Sequence, residues 1–201
     1  MAIITLTTDF GEKDHFAGAI KGTIYTELND VRIVDISHSV SPFNISEAAY
    51  IIQNAYSCFP KGTIHIIGID SELNKGNKHI AVKLDDHFFV CANNGIMSMI
   101  CAEIAPDKIV EINIHDKIET TFPVLDVFAK VACHIARGGT LEVIGKPIST
   151  IKPIRNLIPF VNEEKDQIIG NVIYIDNYGN VISNIKRKFF ESIQKVVNSK
   201  F

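Results

Sequence analysis

Three β-branched runs, AIITLTT at 2–8, VRIVDI at 31–36 and GTIHIIGID at 62–70, each end on or beside an aspartate: Asp9, Asp35 and Asp70. Two stretches with a different rhythm separate them. Residues 14–28 carry Phe16, Ile20, Ile24 and Leu28 four apart, the spacing of one helical face, and Asp14 is placed to cap that helix and meet its dipole. Residues 41–59 run from turn formers into a second helix. The first and third strands are apolar without alternation, so both of their faces must be covered. A strand–helix–strand–helix–strand order then gives a mainly parallel sheet with right-handed crossovers as the expected frame.

In open α/β sheets a ligand sits outside the carboxyl ends of the strands, so Asp9, Asp35 and Asp70 are candidates to line one crevice. Aspartate also starts turns with no ligand present, and that reading stands beside the first.

Beyond Asp70 the polar loop SELNKGNK leads to HIAVKL and HFFVC, which flank Asp85-Asp86 as a hairpin. NNGIMSMICAEI reads as a turn into a helix, KIVEINI as a strand, and VLDVFAKVACHIARGG as a helix stopped by Gly138 and Gly139. The charged stretch PFVNEEKDQIIG is the best boundary in the chain. The expected organisation is an N-terminal α/β domain over 1–160, a linker over 161–167 and a β domain over 168–201. A turn at Asp176–Gly179 divides the strand-like NVIYIDNYGNVISNI.

Bulk properties exclude several classes. A net charge of −3 gives no electrostatic reason to expect nucleic acid or an anionic membrane as partner. No apolar run reaches the roughly 18 residues of a membrane span. The N-terminus has no basic region ahead of its apolar stretch, so a signal peptide is not expected. Cys58, Cys91, Cys101 and Cys133 lie singly, as small buried thiols would in a reducing, cytoplasmic setting. No glycine-rich pyrophosphate cradle, nucleophile elbow or H-E-x-x-H pair is present. His65 and His134 are expected to be structural; His38, just past a strand end, is the histidine expected to matter.

TLTTDFG, AGAIKGTI, VDISHSVSPFNISEAAYII, FPKGTIHIIGID, NNGIMS, TFPVLDVFAKVA and GNVIYIDNYGNVISNI follow one another in an order that is similar to one family. The chain resembles the S-adenosyl-L-methionine hydroxide adenosyltransferases, relatives of the bacterial fluorinase and chlorinase, over essentially its whole length. That resemblance implies a larger N-terminal α/β domain and a small C-terminal β-barrel, of which only the beginning is expected before Phe201. It implies a homotrimer with inter-subunit sites, S-adenosyl-L-methionine as substrate, adenosine and L-methionine as products, and no metal or other cofactor. By position, Asp9 resembles the acid that grips the ribose hydroxyls, Asp14 an acid at the mouth of the methionine site, and Phe43 an aromatic near the sugar. Tyr178 matches a ring stacked on adenine, Asp176 and Asn180 the groups that hold the methionine ends, and Asp70 the acid that activates water.

The chain also departs from the family. The family's catalytic arginine falls at Asn77, with Lys78 beside it as a partial replacement, and its histidine falls at Pro123. The family's P-D-N-G is here Ala92-Asn93-Asn94-Gly95. Glu72 beside Asp70 argues against a halide pocket. The expected activity is therefore adenosyl hydrolysis with Asp70 as base; the alternative is a nucleoside-binding homologue without turnover.

Overall fold

The computed structural model describes residues 1–101, 104–114, 120–154, 158–163 and 167–198, with side chains to residue 193. His115, residues 102–103 and 164–166, and Phe201 lie outside them. Two compact units emerge, Met1–Ile154 and Arg155–Phe201.

In the first unit, β1 (Ala2–Thr8), α1 (Phe16–Glu27), β2 (Val31–Ser37), α2 (Ile45–Ala55) and β3 (Ile64–Gly68) follow the expected order. Then come β4 (His79–Leu84), β5 (His87–Ala92), the short α3 (Ile96–Ile100) and β6 (Lys108–Ile112). A π-helical turn, Val124–Phe128, runs into α4 (Ala129–Ala136), and α5 (Leu141–Ile144) leads to β7 (Gly145–Pro147). The sheet order is β2-β1-β3-β5-β4-β6-β7. Pairing is parallel from β2 to β5 and antiparallel from there to β7, so the sheet is mixed.

Side-chain alternation builds two apolar layers. Ile4, Leu6, Ile64, Ile66, Val90 and Val110 face α1, the π-helical turn and α4 through Ile20, Ile24, Phe128 and Val131. Ile67, Ile69, Ile80, Val82, Phe89 and Cys91 face α2 and α3 through Ala48, Ile52, Ile96 and Met97. The sheet is thus covered on both faces, as its apolar strands require. Because β2 and β3 flank β1 on opposite sides, α1 and α2 lie on opposite faces. That makes the carboxyl ends of β1 and β3 the switch point of the sheet.

Local chemistry explains the turns. Asp85 and Asp86 both have positive φ, 50° and 60°, the primed hairpin turn that suits the twist of β4 and β5. Asn44 caps α2, its side chain accepting from the Glu47 N–H at 3.1 Å. Asp14 does not cap α1: His15 takes the N-cap position, its carbonyl accepting the Ala19 N–H, and the helix begins at Phe16, leaving Asp14 exposed ahead of it. The thiols also differ from expectation, since Cys58 is exposed and only Cys91 and Cys133 are buried.

The second unit holds β8 (Phe160–Val161) against β9 (Ile168–Ile169), and β10 (Val172–Ile175) against β11 (Val181–Ser183). It then forms α6 (Arg187–Asn198), a helix within the span expected to be β domain. Among the described residues no helix is long and apolar enough to cross a membrane.

The glycines give a paired test of this backbone. Gly95 has φ +107° and a Cβ there would meet Ile154 at 2.3 Å, whereas Gly22 lies in α1 with open space around it. Gly95→Ala should destabilise by about 1–3 kcal/mol, and Gly22→Ala should stabilise by about 0.5–1 kcal/mol. Urea unfolding followed by circular dichroism checks both signs.

Candidate active site

Asp9 leaves β1 immediately after Thr8, which stands opposite Gly68 of β3 in the parallel register. Asp70 follows two residues later on β3's own exit. Adjacent parallel strands therefore deliver both carboxylates to the same rim. Gly68 is part of that approach, because a Cβ would press on Val124 at 3.0 Å and on Thr8 at 3.1 Å.

The rim opens into a cavity of about 490 Å³ lined by Asp9, Phe10, Phe16, Pro42, Phe43, Asp70, Ser71, Glu72, Thr121, Phe122 and Pro123. Phe10, Phe16 and Phe122 form its aromatic wall, with ring centroids 5.3 to 5.8 Å apart and Phe122 edge-on to both others. Thr120 accepts the Phe122 N–H and donates to Asp126 within the π-helical turn, which fixes the third ring. Among the described residues the lining has three acids, Asp9, Asp70 and Glu72, and no lysine or arginine. Such a volume with an apolar wall and few polar groups suits a small molecule, and the charge balance favours a cationic one.

Asp9 is held by the Phe43 backbone, whose N–H donates to Oδ2 at 2.8 Å. Phe43 has φ +61°, a conformation that a bulky residue adopts only under constraint. Its ring is 73% exposed at the cavity mouth. Partial burial pushes the Asp9 carboxyl above its usual range; the Phe43 bond offsets part of the rise, and the Asp70 charge adds to it.

Asp70 also has positive φ, 44°, which aspartate tolerates. Buried Asn94 steadies this turn by donating to the carbonyls of Ile69 at 2.9 Å and Asp70 at 3.3 Å. His79 meets the Ser71 carbonyl at 2.9 Å. Asn77, 7% exposed, donates through Nδ2 to Asp70 Oδ2 at 3.1 Å. Lys78 beside it is exposed.

The other predicted residues divide. Asp35 does not join the crevice: it pairs with Lys21 of α1 and lies 3.1 Å from His38. Burial pushes its carboxyl up, but those two partners outweigh it and hold it below the usual range. His38 is buried and meets Thr8 Oγ1 at 2.7 Å, while its carbonyl accepts the Gly11 N–H at 2.7 Å. It therefore braces the loop that carries Asp9. Asp14 is exposed and outside the cavity lining. His65 bonds Thr5 at 2.7 Å and His87 at 3.1 Å, and burial lowers it to about 3, so it stays neutral.

In the second unit Asp176, Tyr178 and Asn180 share the β10–β11 turn. Asp176 accepts the Tyr178 and Asn180 N–H groups at 2.9 and 2.8 Å and the Asn180 Nδ2 at 2.6 Å. The Asn180 side chain, before the backbone bonds, lowers the Asp176 carboxyl. The Tyr178 ring is 90% exposed. The aromatic wall was not legible as a site: Phe16 carried only a helix-face signal, and Phe10 and Phe122 carried none.

Comparison with known proteins places the chain in a family. Residues 4–145 match the SAM hydroxide adenosyltransferase N-terminal domain and residues 170–201 the C-terminal domain of the same family. The chain belongs to the SAM hydroxide adenosyltransferase family. It is 31% identical to the (R)-S-adenosyl-L-methionine hydrolase of Methanocaldococcus jannaschii, over 98% of this chain and 74% of that protein. It is 25% identical to the fluorinase of Actinopolyspora mzabensis, over 94% of this chain and 73% of the relative. Among solved structures, an uncharacterized conserved protein from Thermotoga maritima matches with a TM-score of 0.84 at 31% identity, over 96% of this chain and 74% of that one.

The raised Asp9 carboxyl has a stability consequence. A folded-state value above the unfolded one stabilises the fold at acid pH, and that contribution is lost as pH rises through the raised value. At neutral pH the ionised Asp9 therefore weighs against folding. Asp9→Asn should raise Tm at pH 7, with the gain vanishing below the ordinary aspartate range, as thermal melts across pH will read.

Proposed function

We propose that the protein hydrolyses S-adenosyl-L-methionine at the 5′ carbon, giving adenosine and L-methionine. The observation that carries this reading is the pair of carboxylates, Asp9 and Asp70, at the mouth of an aromatic-walled cavity whose described lining residues include no lysine or arginine. A sulfonium nucleoside supplies what such a site would recognise: a cation for the acids and rings, and a vicinal diol for one carboxylate. Phosphate-bearing nucleotides would meet repulsion instead. The curated relatives bearing the hydrolase name support the same reading.

In this reading Asp9 accepts hydrogen bonds from the ribose 2′ and 3′ hydroxyls, its own orientation set by the Phe43 N–H. Asp70 aligns a water with the 5′ carbon. The water oxygen forms the new bond to carbon as the carbon–sulfur bond breaks, and the bonding pair leaves with the sulfur. Methionine departs neutral at sulfur, so no general acid is required, and the water's proton passes to Asp70. Positive charge disperses along this path, which a cavity walled by Phe10, Phe16 and Phe122 favours by limiting bulk water. The sulfonium is itself the activated group, and the mechanism uses no further cofactor.

The remaining assignments belong to the same proposal. Asp14 would stand towards the methionine end, Tyr178 would stack on adenine, and Asp176 and Asn180 would hold the amino acid in a homotrimer whose sites join neighbouring subunits. The last pair would have to exchange their mutual bond for ligand bonds. The domain assignment of 1–160 and 168–201 follows the same plan, and the two buried thiols suit a cytoplasmic setting. A binding protein without turnover is the second reading, favoured by Asn77 and Pro123 standing where the resemblance puts arginine and histidine.

Adenosine released from S-adenosyl-L-methionine, measured by chromatography, separates these readings. Asp70→Ala should abolish release while leaving adenosine binding intact; unchanged release would remove Asp70 as base. Asp9→Asn should weaken adenosine binding by about 1–3 kcal/mol, the value of charged hydrogen bonds to a buried diol. Calorimetry with 2′,3′-dideoxyadenosine should show little difference between Asp9→Asn and the parent, and equal losses for both nucleosides would remove Asp9 from the ribose.

A further inference from the structure

Behind Asp70 a second group of residues converges from three separate parts of the chain. Asn77 gives its amide N–H to Asp70 Oδ2 at 3.1 Å, and its Oδ1 accepts from Lys152 Nζ at 3.3 Å. Lys152 Nζ also donates to the Gly76 carbonyl at 3.1 Å. The order of the chain is fixed by chemistry. An ionised carboxylate only accepts and an ammonium only donates, so the Asn77 amide can lie between them in one orientation alone.

The lysine is anchored to the sheet. Its backbone N–H donates to Asn93 Oδ1 at 2.8 Å, and the Ile154 N–H donates to Ser98 Oγ at 3.1 Å. Ile148 bonds the carbonyl of Ile109 on β6, and Ile148 and Ile151 pack against the apolar layer beneath α2 and α3. Asn93, in turn, donates its N–H to the Lys78 carbonyl at 2.6 Å. The segment therefore places a cation at Asn77 that lies beyond residues 4–145, the span matched by the N-terminal family domain.

We propose that Lys152 is a positioning residue for the hydrolysis, acting through Asn77 to hold one oxygen of the Asp70 carboxylate and bring positive charge behind it. The proposal rests on the hydrolase reading above. Lys78, the neighbour in sequence, does not take this place; Lys152, 75 residues from Asn77, does. With Oδ2 tied to the amide, the remaining oxygen is the one to meet water. The polarised amide also passes the ammonium's charge to the carboxylate without exposing an ammonium to the cationic substrate. Asn77 and Asn93, two of the positions where the chain departs from its family's pattern, become parts of one network.

Steady-state adenosine formation by the full chain tests it, with parent, Lys152→Met, Lys152→Arg, Asn77→Ala and the Lys152→Met/Asn77→Ala pair. Lys152→Met should lower kcat about tenfold with KM little changed, as expected for loosened alignment of the attacking water. Lys152→Arg should restore most of the rate. In the Asn77→Ala background Lys152→Met should have no further effect, because the path to Asp70 is already cut. A lysine that merely supports the loop would instead lower activity in both backgrounds and shift Tm in parallel. An active parent matched by Lys152→Met, or equal losses in both backgrounds, overturns the role of Lys152 and leaves the hydrolase reading intact. A parent that forms no adenosine overturns the hydrolase reading and this role with it.

Discussion

The parallel pairing of β1 with β2 on one side and β3 on the other is the constraint from which the site follows. It forces the connecting helices onto opposite faces of the sheet and leaves an opening where the strands end. The register Thr8↔Gly68 then sets Asp9 and Asp70 on neighbouring exits. Gly68 keeps that seam close, and the two apolar layers keep the sheet from shifting register, since a slip of one residue would exchange its faces.

Strain and unfavourable charge gather at this opening. Phe43 and Asp70 hold positive φ, and a partly buried Asp9 sits near a second carboxylate. None of these features helps the fold by itself. Each is restrained from outside: Asp9 by the Phe43 N–H, the Asp70 turn by Asn94, and the Asp9 loop by buried His38. Among the described residues the cavity lining offers these acids no lysine or arginine, which suits a cationic ligand.

The family match and the departures from the family's pattern fit together in the structure. The frame is shared over 4–145 and 170–201, while asparagine stands at 77 beside Asp70 and at 93, where the family's pattern has arginine and aspartate. Asparagine amides can donate and accept together, so Asn77 links Asp70 to Lys152 and Asn94 links the β3 exit to the Ile96 N–H at the start of α3. Such bonds keep geometry at a carboxylate but carry less charge than an arginine fork would.

Much of this was legible in the chain itself. Unalternating β-branched runs, four-residue spacing in α1, the Asp85-Asp86 hairpin and the Gly138 stop are local signals, because each reflects what nearby backbone atoms permit. The acids at the ends of β1 and β3 were visible for the same reason. Which acid would face the cavity was not. Asp35 ends near its strand terminus too, yet Lys21 from the neighbouring helix takes it up, and only packing brings those two together. Asp14 looked like a cap, but whether the helix starts at it or after it depends on backbone angles set by the loop. The aromatic wall joins Phe10, Phe16 and Phe122, and the support behind Asp70 joins residues 77 and 152. Sequence spacing carries local hydrogen bonding and periodicity; contacts across such separations exist only once the sheet has brought its ends together.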